Sequence, residues 1–300
     1  MRQVIALGGN ALLKRGEIAS AENHRRNIAQ AAGPLVRACE GVETALVHGN
    51  GPQIGLLALQ ALAYAEVPAY PLDVLGAEAQ GMIGYLLAQA LGAADPQRAI
   101  IGLLTQTLVD GKDAAFARPT KPIGPIYPQD QALSLAAARG WSFTMDGAGQ
   151  RRVVASPAPL EVVEQATIEA LVADGALVIC AGGGGTPVTR DEAGGLRGVE
   201  AVIDKDLVAA LLAIRLGADR LIILTDVDAI YGGWGGPAPT ALREVRAADL
   251  VESAFAEGSM RPKVRAARQF IEATGHDVLI GALDDLAGLL DGTSGTRLVA

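Results

Sequence analysis

The sequence predicts an α/β protein built on an open, mainly parallel sheet with helices on both faces. Half of the 300 residues are hydrophobic but only 4% are aromatic, a mix that suits Val/Ile-rich strands and Ala/Leu-rich helices. Short unbroken apolar runs alternate with longer stretches of helical period, as strands buried on both faces do. Several of these runs end in glycine turns, and in such sheets ligands bind beyond the carboxyl ends of the strands.

Taken in order, Gln3–Leu7 reads as the first strand and ends at Gly8-Gly9-Asn10. Helical spacing covers His24–Cys39. Thr44–Val47 is the second strand, ending at Gly49-Asn50-Gly51, and Pro52 suits the first turn of a helix, where its missing N–H costs nothing. Ala77–Leu91 reads as helix and Ala99–Leu104 as the third strand. Asp110–Ser156 breaks the rhythm and is expected to be a small protruding lobe. Within it, Pro119 to Pro128 should be irregular, because proline supports neither a central strand nor a helix interior. Trp141–Met145 and Gln150–Ala155 can pair as a hairpin. Leu160–Ala173 reads as helix, and Ala176–Cys180 as a strand running into Gly182-Gly183-Gly184-Gly185. Helix Lys205–Leu216 and strand Arg220–Leu224 follow, the strand leading into Thr225-Asp226-Val227-Asp228. Helix Lys263–Thr274 and late strands Asp277–Ile280 and Arg297–Val299 complete the chain.

The formal charge is −8. No basic run stands out to neutralise phosphates, which argues against general nucleic-acid binding but leaves room for a local positive pocket. No apolar run reaches the ~18–20 residues that cross a bilayer. The short apolar run at the N-terminus leads straight into Gly8-Gly9 with no signal-like cleavage site, so a cytoplasmic protein is expected. Cys39 and Cys180 sit in apolar surroundings and should be buried thiols. His24, His48 and His276 form no cluster with them, and no metal site built from protein ligands is expected.

Glycine turns let backbone N–H groups converge on phosphate oxygens, because no Cβ blocks the approach. Gly8-Gly9-Asn10 and Gly49-Asn50-Gly51-Pro52 are anion-binding candidates of this kind, the second opening a helix whose positive end faces the site. Gly49-x-Gly51-x-x-x-Gly55 also approaches a dinucleotide turn, but the run Val67–Pro71 before Asp73 makes a poor central strand. No Gly-Lys-Ser/Thr loop is present. Lys121, Lys205 and Lys263 follow turn signals, and the last two stand at helix starts, where a cation opposes the dipole unless it reaches a ligand. Lys205 could instead be a solvated charge paired with Asp206, and Asp204 a simple N-cap. His48 is as readily a packing residue as a ligand.

With these residues assembled, the sequence resembles the carbamate kinases of the amino acid kinase family. The matching segments are Ile5–Leu12, His48–Gln53, Pro71–Asp73, Gln80–Tyr85, Thr120–Pro125, Arg152–Pro157, Gly182–Gly185, Gly198–Asp206, Leu224–Asp228 and Gly258–Lys263. They span almost the whole chain, and Thr120–Pro125 and Gly198–Asp206 are the most specific. Ala155 stands where a proline is usual, and Arg261 is not the commonest residue in its loop. Trp234 lies in a variable stretch.

The resemblance implies a three-layer αβα sandwich with an eight-stranded sheet. It places a carbamate and phosphoryl lobe at about 1–175, including a protruding lobe at about 110–156, and a nucleotide lobe at about 176–300. Gly8, Gly9, Asn10, Gly49, Asn50 and Gly51 would hold carbamate and the transferring phosphoryl. Lys121 and Lys205 would act in catalysis, with Asp204 organising the lysines. Gly182, Gly183, Thr225, Asp226, Val227, Asp228, Tyr231, Met260 and Lys263 would border the nucleotide. Mg²⁺ would arrive with ATP or ADP, no organic cofactor is implied, and a homodimer is the usual state. The implied activity is reversible carbamate phosphorylation, commonly run toward ATP synthesis in arginine or purine breakdown. A sibling kinase acting on acetylglutamate, aspartate, UMP or an isoprenoid phosphate, or a silent nucleotide-binding sensor, is the alternative. Two further expectations follow: Lys121 should be a dispensable surface lysine for folding, and no arginine near Gly8–Asn10 or Gly49–Gln53 should clamp a second carboxylate.

Overall fold

In the computed structural model, which describes all residues but 10, 11, 15, 65, 148, 234–238 and 256–259, strands and helices follow one another largely where the apolar runs place them. The chain begins with β1 (Arg2–Leu7), α1 (Ala21–Ala38), β2 (Glu43–His48), α2 (Gly51–Ala63), α3 (Leu72–Ala94), β3 (Ile100–Gly102) and β4 (Gln106–Val109). Next come β5 (Lys121–Tyr127), α4 (Gln129–Arg139), β6 (Ser142–Asp146) and β7 (Gly149–Val154). Then follow β8 (Pro159–Val162), α5 (Gln165–Ala173), β9 (Leu177–Cys180), β10 (Thr186–Arg190), β11 (Leu196–Gly198), α6 (Lys205–Arg215) and β12 (Arg220–Thr225). The last elements are β13 (Ile230–Gly232), β14 (Thr240–Leu242), β15 (Glu244–Arg246), α7 (Met260–Thr274), β16 (Val278–Ala282), α8 (Leu286–Asp291) and β17 (Thr296–Val299).

Eight strands make the main sheet in the order β15-β17-β16-β12-β1-β2-β9-β3. Every pairing is parallel except β16 with β17. Side chains alternate across it, as the two-residue period of a strand requires. Val4, Ala6, Val47, Val178 and Ile223 join a core with Ile168, Val208, Leu212 and Phe270 from α5, α6 and α7. Ile5, Leu7, Leu46, Ile179 and Ile222 point the other way, into a core with Ile28, Leu35, Ile83, Leu87 and Leu289 from α1, α3 and α8. Two such cores, one on each face, make the three layers. Cys39 and Cys180 are buried free thiols.

The parallel neighbours β12, β1, β2 and β9 bring their carboxyl ends into one row. The turns that follow them, at Thr225, Gly8, Gly49 and Ala181, therefore share one rim of the sheet, although they are far apart in sequence.

Three local expectations need correction. Pro119 to Pro128 is not irregular, since Lys121–Tyr127 forms β5 in a three-stranded sheet ordered β5-β7-β6. An edge strand tolerates prolines, and its register slips between Ile123 and Ile126, where Gly124 takes φ +71°. Gly55 of α2 packs on Gly124 so closely that a Cβ on Gly55 would overlap its backbone. The helix expected over Leu160–Ala173 starts only at Gln165, because Pro159–Val162 pairs as β8 with β4. The strand expected over Ala99–Leu104 stops at Gly102. The hairpin forms as β6 and β7.

Candidate functional site

A cavity of about 760 Å³ opens beyond the row of strand ends. Gly8, Gly9, Gly49, Asn50 and Gly51 line one side and Thr225, Asp226, Val227, Tyr231, Met260 and Lys263 the other. Helices α2 and α6 begin at this wall, at Gly51 and Lys205, and the first turn of α7 brings Met260 and Lys263 to it. Helix N-termini present unpaired N–H groups and positive dipole ends, which favour anions.

Charge is organised by two carboxylates serving three lysines. Asp204 caps α6, its Oδ1 accepting the Asp206 N–H at 2.9 Å, while its Oδ2 accepts from Lys121 Nζ at 2.5 Å. Asp206 takes Lys205 Nζ on Oδ1 at 2.5 Å and Lys263 Nζ on Oδ2 at 3.0 Å. Burial opposes ionisation of both carboxyls. For Asp204, Lys121 and then Lys205 outweigh that cost, and for Asp206, Lys205 and Lys263 do, so both sit below the ordinary carboxylate range. Burial pulls Lys205 below the usual lysine value, and it also opposes the charge on Lys263, but Asp206 and Asp204 overcome it and raise that group. The three ammoniums exceed the two carboxylates by one positive charge, which suits an anionic ligand.

Lys205 does pair with Asp206, but as a buried and not a solvated charge, its side chain being 11% exposed. Asp204 is the expected N-cap, and both residues line the cavity. Asp204 does not organise the lysines alone, because Asp206 holds two of them. The expectation that Lys121 is a surface lysine fails. It comes from β5 and pairs with a carboxylate whose residue is only 7% exposed. The lysine stem of Lys205 passes over Gly49, where a Cβ would stand 3.4 Å from its Cδ and Cε. Gly8 cannot carry a side chain, since a Cβ would meet Leu224 O at 2.7 Å.

Most of the expected site residues meet at this cavity. Gly183 lines it, but Gly182 and Asp228 do not. Asp228 is exposed and accepts the Tyr231 hydroxyl at 2.8 Å, while Gly182 faces His48. Asn10, Gly258 and Trp234 lie outside the described residues. Sequence reasoning missed Arg151, Phe255 and the clamp role of Asp206. Arg151 Nε donates to Gly124 O at 3.0 Å and Nη1 pairs with Asp146 at 3.0 Å, which aims the guanidinium from β7. An arginine thus does reach the cavity, brought by the 110–156 segment and not by the glycine loops. Adjacency of two arginines in a β-rich run hid it, since alternation sends Arg152 to the opposite side, over the Trp141 ring at 3.7 Å.

His48 is a packing residue. It is fully buried, its Nδ1–H donates to Gly49 O at 3.0 Å, and burial depresses its pKa from 6.5 to about 4. A histidine that stays neutral when folded charges first in the unfolded chain, so its contribution is complete above pH 6.5 and is lost progressively as pH falls toward 4. Urea unfolding at pH 7 and 4.5 should show a larger acid loss for wild type than for His48→Gln. Equal losses would remove His48 from the acid response.

The amino acid kinase family model matches residues 1–282. The chain is 50% identical to a carbamate kinase of Haemophilus influenzae, across 99% of this chain and 96% of that one. It is 51% identical to a carbamate kinase of Escherichia coli (strain K12), across 98% and 97%. Among solved structures, carbamate kinase from Giardia lamblia bound to AMP-PNP superposes with a TM-score of 0.89 at 42% identity, covering 99% of this chain and 98% of that one.

Proposed function

The chain belongs to the amino acid kinase family, and on that premise we propose that it transfers a phosphoryl group between ATP and carbamate, as its curated relatives are named for doing. The observation that carries the reading is the cluster of Lys121, Lys205 and Lys263 braced by Asp204 and Asp206 at the rim of the sheet. Phosphoryl transfer needs in-line positioning and stabilisation of charge on the phosphoryl oxygens more than covalent help. Carbamate is already an anion, so one of its oxygens can attack the γ-phosphorus without a general base. The new O–P bond forms as the bond to the ADP leaving oxygen breaks.

Carbamate is assigned to the Gly8–Gly9 and Gly49–Gly51 end, in the lobe of about 1–175. The nucleotide is assigned to the Thr225–Lys263 end, in the lobe of about 176–300. Lys121 and Lys205 then flank the transferring group, and Lys263 meets nucleotide phosphates. Asp204 and Asp206 are both committed to lysines, so Mg²⁺ would enter on nucleotide oxygens and water, supplying charge neutralisation there. Physiological flux is assigned toward ATP synthesis, in a cytoplasmic protein. Among the described residues no helix is long and apolar enough to cross a membrane. The decisive assay mixes ADP and carbamoyl phosphate with the purified protein and follows ATP. Rapid ATP formation is expected; no ATP formation, with ATP instead consumed when acetylglutamate is offered as the phosphoryl acceptor, would reject the reading.

A homodimer is supported by α3, which exposes Val74, Met82 and Tyr85 on one helical face. A second copy of the chain covering that face would bury all three. Light scattering should give twice the chain mass for wild type and the monomer mass for Met82→Asp. A wild-type monomer would exclude the dimer.

A further inference from the structure

The turn between β9 and β10 is built to be a spacer. Ala181, Gly183, Gly184 and Gly185 take φ of +48°, +64°, +93° and +80°, and Ala181 is the only non-glycine residue with positive φ among the described residues. A Cβ on Gly182 would overlap the His48 ring, one on Gly183 the Asn50 carboxamide, and one on Gly184 would stand 2.7 Å from Ile203 O. The turn therefore wedges between the loop that carries Asn50 and the residue that leads into Asp204 and Lys205.

A buried network outside the cavity grips this turn. Gln80 of α3 accepts from Thr105 N–H at 3.1 Å and from Thr105 Oγ1–H at 3.0 Å, and its Nε2 donates to Thr105 O at 3.1 Å and Thr186 Oγ1 at 3.0 Å. Every donor and acceptor of that carboxamide is used. Thr105 Oγ1 in turn accepts the Ala181 N–H at 2.8 Å, and Thr107 Oγ1 donates to Gly184 O at 2.8 Å. Gln80 is 3% exposed and Thr105 0%. A left-handed alanine is costly and persists only where its surroundings over-determine it, and these hydrogen bonds supply that constraint.

We propose that Gln80 and Thr105 are positioning residues for phosphoryl transfer, acting through the turn 181–185, which sets the spacing between Asn50 and Lys205. The proposal rests on the kinase reading above and moves Gly183 from a nucleotide contact to a spacer against Asn50. A network that merely stabilised the fold would leave turnover of the folded enzyme intact. One that sets the spacing of reacting groups should alter kcat and spare nucleotide affinity.

Thr105→Val keeps the shape and removes the hydroxyl, leaving the Ala181 N–H without its acceptor, whereas Thr105→Ser keeps it. Both are to be assayed with ADP and carbamoyl phosphate beside wild type, with thermal melts to establish folding. The expected result for Thr105→Val is a kcat lower by about tenfold or more, since small misplacements of reacting groups carry large rate costs. KM for ADP should stay within about twofold and Thr105→Ser should recover kcat to within about threefold of wild type. On an Asn50→Ala background Thr105→Val should cost little more, because coupled residues are non-additive. Should Thr105→Val fail to fold, Thr186→Val removes only one acceptor of Gln80 and should show the same split at about threefold. Unchanged kcat in the folded variant, a matching rise in KM for ADP, absence of rescue by serine, or full additivity with Asn50→Ala overturns the proposal. A wild type without turnover overturns the kinase reading and this inference together, whereas an active wild type beside an unaffected variant overturns the inference alone.

Discussion

Lys205→Met is expected to lower turnover with ADP and carbamoyl phosphate by roughly 10²–10³-fold, the size of effect seen when a preorganised electrostatic donor is removed. Methionine keeps the length of the stem over Gly49 and the helix propensity of the α6 N-terminus, so the change isolates the ammonium. Folding should survive because Asp206 retains Lys263 as a partner at 3.0 Å. The loss should fall mainly on kcat, since a charge near the transferring phosphoryl acts where charge moves in the transition state. Near-normal turnover in a variant with a normal melt would remove Lys205 from the chemistry.

Asp206→Asn carries the largest expected loss of stability. Asp206 is 3% exposed and holds two lysine side chains that are themselves only 11% and 13% exposed. Neutralising it leaves two like charges buried side by side, and breaking a buried pair from one side costs about 3–5 kcal/mol. The sign with pH is defined. The folded carboxyl sits below its unfolded value of 3.8, so its contribution is complete above that value and disappears only as pH falls through the lower folded pKa. The gap between wild type and Asp206→Asn in urea unfolding should therefore be equal at about pH 7 and pH 5. A gap under about 1 kcal/mol, or one that closes by pH 5, would make Asp206 an ordinary surface-type pair. Turnover should fall as well, because Lys205 and Lys263 lose their common anchor.

Lys121 and Arg151 illustrate how far one-dimensional reading reached. The turn-flanked setting of Lys121 marked it as a site residue, and it does line the cavity. Its partner Asp204 lies 83 residues away, and no spacing rule links the two. The same gap explains why Lys121 read as a surface residue, because a lysine looks like surface until its buried carboxylate is known. Arg151 was invisible for a related reason. Which of two adjacent strand residues faces a cavity depends on register, and the register of β5 against β7 contains an irregularity between Ile123 and Ile126.

The prolines of β5 show the opposite limit. Their local chemistry argued against a strand, correctly for a central position, but edge placement in a small sheet removes the objection. Edge or centre is a property of the sheet and not of the residues.

By itself the sequence determined the alternation of buried strands and amphipathic helices, the glycine turns at strand ends, and the lysines at helix starts. These are local consequences of side-chain period, of the missing Cβ and of the helix dipole, each acting over a few residues. Only the tertiary structure decided that the turns of β12, β1, β2 and β9 share one rim, that Asp206 and not Asp204 alone anchors the lysines, and that the turn 181–185 wedges against Asn50. Those outcomes depend on strand order and on the close approach of backbones from distant segments. They emerge only when two cores pack on opposite faces of one parallel sheet and bring its carboxyl ends together.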